Sequence, residues 1–148
     1  MDVVYHISDE MPKQEVLNKI LTLHAAIFGE TDQLEKKMAD KPKRLVASAI
    51  YQDQVIGYKV GYEMEENKFY SWLGGVDAKY RGKGIASRLM EMQHEYIKGC
   101  GYRVIQTKTM NKWRHMLILN IKHGFDVLET YIDEKGRHKI ILEKKLRD

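Results

Sequence analysis

The stretch YRGKGIASRLMEMQ, residues 80–93, decides how the chain is read. It sets glycines at 82 and 84 and basic side chains at 81, 83 and 88 at the mouth of a run in which Ile85, Leu89, Met92 and Tyr96 recur at helical spacing. Glycine is a poor helix former, so its use here asks for another reason. A helix N-terminus presents unpaired backbone N–H groups and the positive end of the macrodipole, and so attracts phosphate. Glycine removes the Cβ that would hold such a group off the backbone, and Arg81 and Lys83 add charge. The same glycines would also serve a plain turn into a core helix, so Gly-x-Gly alone does not separate the two readings.

On either side of this stretch the period of the apolar residues assigns the elements. DVVYHIS reads as an opening strand, and Val16, Leu17, Ile20, Leu21, His24 and Phe28 then follow a helical stripe stopped at Gly29. TDQLEKKMADK is a short second helix. From Arg44 the pattern alternates: RLVASAIYQD and QVIGYKVGYEME flank a QDQ turn, ENK follows, and FYSWLGGV completes an antiparallel meander. After the glycine turn come a helix over residues 84–98, the strand YRVIQTKT, the helix KWRHMLILNIKHG, and a hairpin of FDVLETYID and HKIILEKKL across EKG. The order βααβββαβαββ is that of an α+β domain, and a helix between the fourth and fifth strands implies that these two pair parallel in a mostly antiparallel sheet. The end of the fourth strand is then the natural place for a ligand, and Gly74 and Gly75 there suggest a bulge or a close backbone approach.

Composition narrows the partners. The chain has 148 residues, the length of one domain, and its 43% hydrophobic and 31% charged residues are the balance of a globular protein. The 25 basic and 21 acidic residues leave a formal charge of +4, interspersed along most of the sequence, which argues against nucleic acid and for a small anionic ligand near the glycines. One cysteine and six histidines without metal-ligand spacing argue against a metal. The N-terminal residues lack the pattern of a signal peptide, and the apolar run LTLHAAIFG is too short to span a bilayer, so the expected address is the cytoplasm, with no membrane partner. Neither a P-loop nor a complete dinucleotide fingerprint occurs: position 87 is Ser87, and the strand after the helix ends without the acid that would hold a ribose.

VDAKYRGKGIASRLM resembles the acyl-CoA signature of the GNAT acyltransferases, Q/R-x-x-G-x-G/A, matched by Arg81, Gly82, Lys83, Gly84, Ile85 and Ala86. Val76, Asn111, the segment HGFDV and the order of elements extend the resemblance along the whole chain. It implies an acetyl-CoA co-substrate with its pyrophosphate on the N–H groups of residues 81–86 and Ser87 beside them. The pantetheine arm would lie along Gly74 to Val76, where the fourth and fifth strands splay, with Asn111 opposite. It also implies transfer to a primary amine of a small molecule or peptide by direct attack, with a backbone N–H near Val76 for the oxyanion. In this family a Tyr four residues before a Gly-Phe pair often protonates the leaving sulfur, and counting back from Gly124 and Phe125 gives Asn120, which cannot act as an acid.

Asn120 interrupts an apolar stripe of Trp113, Met116, Leu117 and Ile121, so its amide needs a partner, either the ligand or a core carbonyl. His115 and His123 lie off that stripe and are read as solvated. For the base, Glu63 and Glu65 share a strand face by alternation, which is equally the pattern of a wet hairpin end. Tyr70 and Trp72 would shape the acceptor pocket or pack in the core. The reading is an N-acetyltransferase; the rivals are a non-catalytic acyl-CoA-binding or regulatory module and a nucleic-acid-binding domain. A homodimer is possible.

Overall fold

A computed structural model describes residues 1–147. The elements run β1 (Val4–Ser8), α1 (Gln14–Phe28), α2 (Leu34–Asp40), β2 (Leu45–Tyr51), β3 (Gln54–Glu65), β4 (Lys68–Val76), α3 (Ile85–Gly99), β5 (Val104–Thr109), α4 (Arg114–Lys122), β6 (Asp126–Ile132) and β7 (His138–Lys145). This is the expected α+β order, with one addition, a 3₁₀ turn at Ala78–Tyr80 that carries the chain from β4 to the glycines. The seven strands form one sheet in the order β1-β2-β3-β4-β5-β7-β6, in which β4 and β5 pair parallel and the other neighbours antiparallel.

Local chemistry accounts for the boundaries. Gln52 and Asp53 close the β2–β3 hairpin with φ of 49° and 61°, the two left-handed residues of a type I′ turn. Gly29 ends α1 by donating its N–H to Ala25 O at 2.8 Å. Helices cover both faces of the sheet. On one, Leu17 and Ile20 of α1 and Met38 of α2 pack on Val46, Tyr58 and Val60. On the other, Ile85 and Leu89 of α3 pack on Ala47, Ala49 and Ile56, and Met90 and Ile97 on Phe69, Ile105 and Leu142. Each such buried Val, Leu, Ile, Phe or Met contributes about 1.5–3 kcal/mol.

Candidate active site

β4 and β5 pair only from Lys68 opposite Val104 to Ser71 opposite Thr107. Beyond that rung β4 continues to Val76 on β3, and β5 to Thr109 on β7, so the two strands diverge. Thr107 closes the last rung by donating its Oγ1 hydroxyl to Ser71 O at 3.0 Å. The fork opens into a cleft of about 1030 Å³ lined from both sides of the sheet.

A bulge at the fork sets which backbone groups face the opening. Val60 is opposite Leu73 and Gly61 opposite Ser71, so Trp72 is the extra residue. Trp72 and Leu73 both pack against the cluster under α1, and the alternation of β4 is reset after them. The bulge therefore lies just before the glycine pair rather than at it. A Cβ on Gly75 would stand 2.6 Å from Ile27 Cδ1, which puts Gly75 on the α1 face, where a side chain would have to displace the end of Ile27, whereas Gly74 lies beside Lys59. Asp77 donates its N–H to Ile56 O at 2.8 Å. Antiparallel alternation then directs the Gly75 and Leu73 amides to β3, and turns the N–H groups of Gly74 and Val76 toward the fork.

The glycine turn is fixed by conformation. Gly82 and Gly84 have φ of 77° and 79°, and a Cβ on either would meet nothing within 4 Å. Left-handed backbone, not crowding within the protein, is thus what excludes other residues, at roughly 1 kcal/mol or more each. Gly84 is the N-cap of α3 and offers no side-chain cap, so first-turn N–H groups stay free. Arg81 Nε donates to Val76 O over a long 3.4 Å, tying the turn to the end of β4.

The opposite wall is α4. Asn120, 3% exposed, is the residue this helix buries. The stripe expected from spacing holds only in part: Met116 and Leu117 are part-buried and Leu117 reaches the core, while Trp113 and Ile121 are exposed, and Leu119, off the stripe, also packs on the core. The Asn120 carbonyl accepts the N–H groups of His123 and Phe125, but its side-chain amide has no partner among the described residues. His123, expected in solvent, is half-buried, with Nε2 3.3 Å from Ser87 Oγ, and so joins the end of α4 to the first turn of α3.

Of the residues singled out from sequence, the cleft gathers Gly74, Val76, Arg81, Gly82, Gly84, Ile85, Ala86, Ser87 and Asn120. Lys83 and Asn111 are exposed and outside its lining. Glu63 and Glu65 lie away from it. Glu63 is opposite Phe69, below the fork, and its carboxylate accepts the Tyr102 hydroxyl at 2.8 Å. A second register shift between Glu63 and Glu65 breaks the alternation that would have set both acids on one face. Trp72 lines the cleft and Tyr70 does not; Lys41 Nζ sits over the rings of Tyr62 and Trp72 at 4.6 and 4.8 Å.

Other lining residues are legible only in three dimensions. On the α1 side His24 Nδ1 lies 2.6 Å from Tyr58 Oη. Burial lowers the His24 pKa and pushes the Tyr58 hydroxyl up, so at neutral pH the imidazole is uncharged and the phenol protonated. In the sequence His24 was one member of an apolar stripe, indistinguishable from a core histidine. Phe28 packs on His24 with the rings tilted at 40° and meets Trp113 edge-on at 5.5 Å, linking the end of α1 to the loop before α4. Glu30 and Asp32, with Lys37, flank the α1 mouth, while Arg81 flanks the turn. Lys59 of β3 is buried, and burial lowers its pKa to about 8.

Among the described residues no helix is long and apolar enough to cross a membrane, and no cluster of His, Cys, Asp or Glu is suited to a metal ion. No curated protein sequence matches the chain significantly. Solved structures match over nearly its whole length. A structure of the NatC complex bound to Gag peptide and CoA has a chain with 19% identity and a TM-score of 0.83, covering 99% of this chain and 100% of its own. An IAA acetyltransferase from Bacillus cereus ATCC 14579 has 22% identity and a TM-score of 0.77, covering 97% and 99%. An aminoglycoside 6'-N-acetyltransferase complexed with coenzyme A has 13% identity and a TM-score of 0.83, covering 100% and 98%. At these identities the likeness is one of fold. The sequence profile of the acetyltransferase (GNAT) family matches residues 9–125. With that match over most of its length, the chain belongs to the GNAT acetyltransferase family.

Proposed function

We propose that this single-domain chain is an acyl-CoA-dependent N-acyltransferase that moves acetyl from acetyl-CoA to a primary amine of a small molecule or peptide. The observation that carries the reading is one continuous cleft joining the glycine turn, with its free N–H groups, to the fork-facing amides of Gly74 and Val76. The turn suits a pyrophosphate, the β4 edge suits the amides of a pantetheine arm, and the unpartnered Asn120 side chain suits a polar group of the same ligand. The amine enters from the α1 side, where Glu30 and Asp32 draw a cation.

His24, held by Tyr58 and uncharged at neutral pH, takes the ammonium proton directly or through one water. The amine lone pair then attacks the thioester carbonyl, whose oxyanion is met by a fork-facing N–H. Collapse breaks the C–S bond, and the amide and the CoA thiol leave.

The test has two parts. Calorimetry should show CoA binding to the wild type and its loss on Gly82→Leu; unchanged affinity rejects the turn as the site. Thiol release from acetyl-CoA over polyamines, aminoglycosides, amino acids and N-terminal peptides then identifies the acceptor. Asn120, in place of the family's usual acid, favours a second reading, a non-catalytic acyl-CoA-binding module. CoA binding with slow hydrolysis and no accepted amine would select it.

A further inference from the structure

Lys59 is a buried cation for which the described residues supply no counter-charge. Its residue is 6% exposed, and among the described residues its Nζ makes no hydrogen bond or ion pair. A buried charge is ordinarily paired. The sealed and unpartnered side-chain atoms are Arg44 Nε, the Gln93 amide and His94 Nε2; Lys59 Nζ is unpartnered yet not sealed, and Lys59 lines the cleft. The groups around it explain the lack of an anion. On its own face of β3, Gly57 and Gly61 carry no side chain, β2 places Ala47 opposite, and β4 places Gly74 opposite, with Nζ 3.6 Å from where a Gly74 Cβ would stand. Of the titratable groups over it, His94 of α3 is the one that feels the Lys59 charge, and His94 in turn faces Lys144 of β7, whose Nζ is 3.0 Å from His94 Nδ1, and His123 at the end of α4; burial alone acts on Lys59 itself. None is a carboxylate. His94 is held uncharged by burial and by the Lys144 and Lys59 ammonium groups.

Building on the acyltransferase reading, we propose that Lys59 is a catalytic residue whose ammonium is the counter-charge for the departing CoA thiolate. Gly74, its neighbour, is the first residue after the bulge whose N–H faces the fork, so Nζ lies where the thioester end of the ligand would pass. When the C–S bond breaks, its electron pair goes to sulfur, and the thiolate accepts an N–H from Lys59. The two protons that the nitrogen loses, one before attack and one as the amide forms, leave in turn through His24 to solvent, and sulfur is protonated from solvent as the product departs. This arrangement needs no acid at Asn120. Burial that brings the Lys59 pKa to about 8 leaves the ammonium predominantly charged at neutral pH, ready for that role.

The experiment titrates the thiol of CoA, followed by thiolate absorbance, in complexes with the wild type and with Lys59→Met. A free thiol titrates near 8.5. In the wild-type complex it should titrate lower by about one unit or more, and in Lys59→Met at or above the ordinary value. Turnover of acetyl-CoA should fall about 100-fold in the variant with little change in KM. A wild type that binds no CoA by calorimetry overturns both the cleft reading and this role. CoA binding with a thiol at or above about 8.5 in the wild type, or equal thiol pKa values and turnover within about twofold in both proteins, overturns the role of Lys59 alone.

Discussion

Replacing Lys59 by methionine should stabilise the protein, and the gain should vanish in alkali. The physical reason is the burial of an ammonium without a partner. Its pKa falls from 10.5 to about 8, which at about 1.36 kcal/mol per unit is about 3 kcal/mol of cost to the folded state. The native chain gives up this proton near pH 8, while the unfolded chain holds it to 10.5. Between those values the unfolded state therefore binds more protons, and stability rises with pH. Below pH 8 the cost is present in full. Methionine has similar length, no charge and adaptable packing, so it removes the cost without opening a cavity. Urea unfolding of both proteins from pH 7 to pH 10.5 measures the difference, in which the buried tyrosines and Lys144 cancel. Lys59→Met should be more stable by up to about 3 kcal/mol at pH 7, with the gap closing toward pH 10.5. A variant less stable than wild type at pH 7, or a gap constant across the range, refutes the argument that the lysine is buried and unpaired.

Gly82→Ala and Gly84→Ala should each cost about 1 kcal/mol by thermal melting, because φ is positive while a Cβ meets no neighbour; a loss of several kcal/mol would mean the turn is packed more tightly than described. Asn120→Ala should lower CoA affinity or turnover with an unchanged melting temperature, whereas a fall in melting temperature alone would assign the amide to the core. His94, taken by burial and then by Lys144, Lys59 and His123 to about 3, must be charged on acid unfolding. The unfolded chain binds this proton from about pH 6.5 downward, so stability should drop by about 1.4 kcal/mol per unit below that pH, and His94→Phe should flatten the urea midpoint against pH. If His24 is the base, kcat/KM should hold down to a pH below 6.5 before falling, and His24→Gln should remove that limb; an acid limb that survives the substitution points to another group.

The ladder of elements was legible because each strand and helix carries its own period and its own stops. Gly29 closes α1, the QDQ turn joins β2 to β3, and RGKGIA opens α3, each by a local backbone rule. The α4 stripe held only in part because a short helix against an open cleft does not bury a whole face: Leu117 and Asn120 go in while Trp113 and Ile121 stay out. The shared face expected for Glu63 and Glu65 is lost for a related reason. Alternation predicts a face only while the register is unbroken, and the shift at Glu63/Glu65, where Met64 is the extra residue on β3, breaks it between the two acids.

By itself the sequence determined the order of elements, the parallel join of β4 and β5, and the glycine turn, since these follow from periodicity, chain chirality and the φ preference of glycine. Only the tertiary structure decided where the strands part, that Trp72 rather than the glycine pair is the bulged residue, and which side chains meet across the fork. His24 and Tyr58 are 34 residues apart, and Lys59 is one alternating position among many until α3 covers it and β4 leaves a glycine beside it. Burial and unpaired charge are properties of that packing, and no local pattern in the chain encodes them.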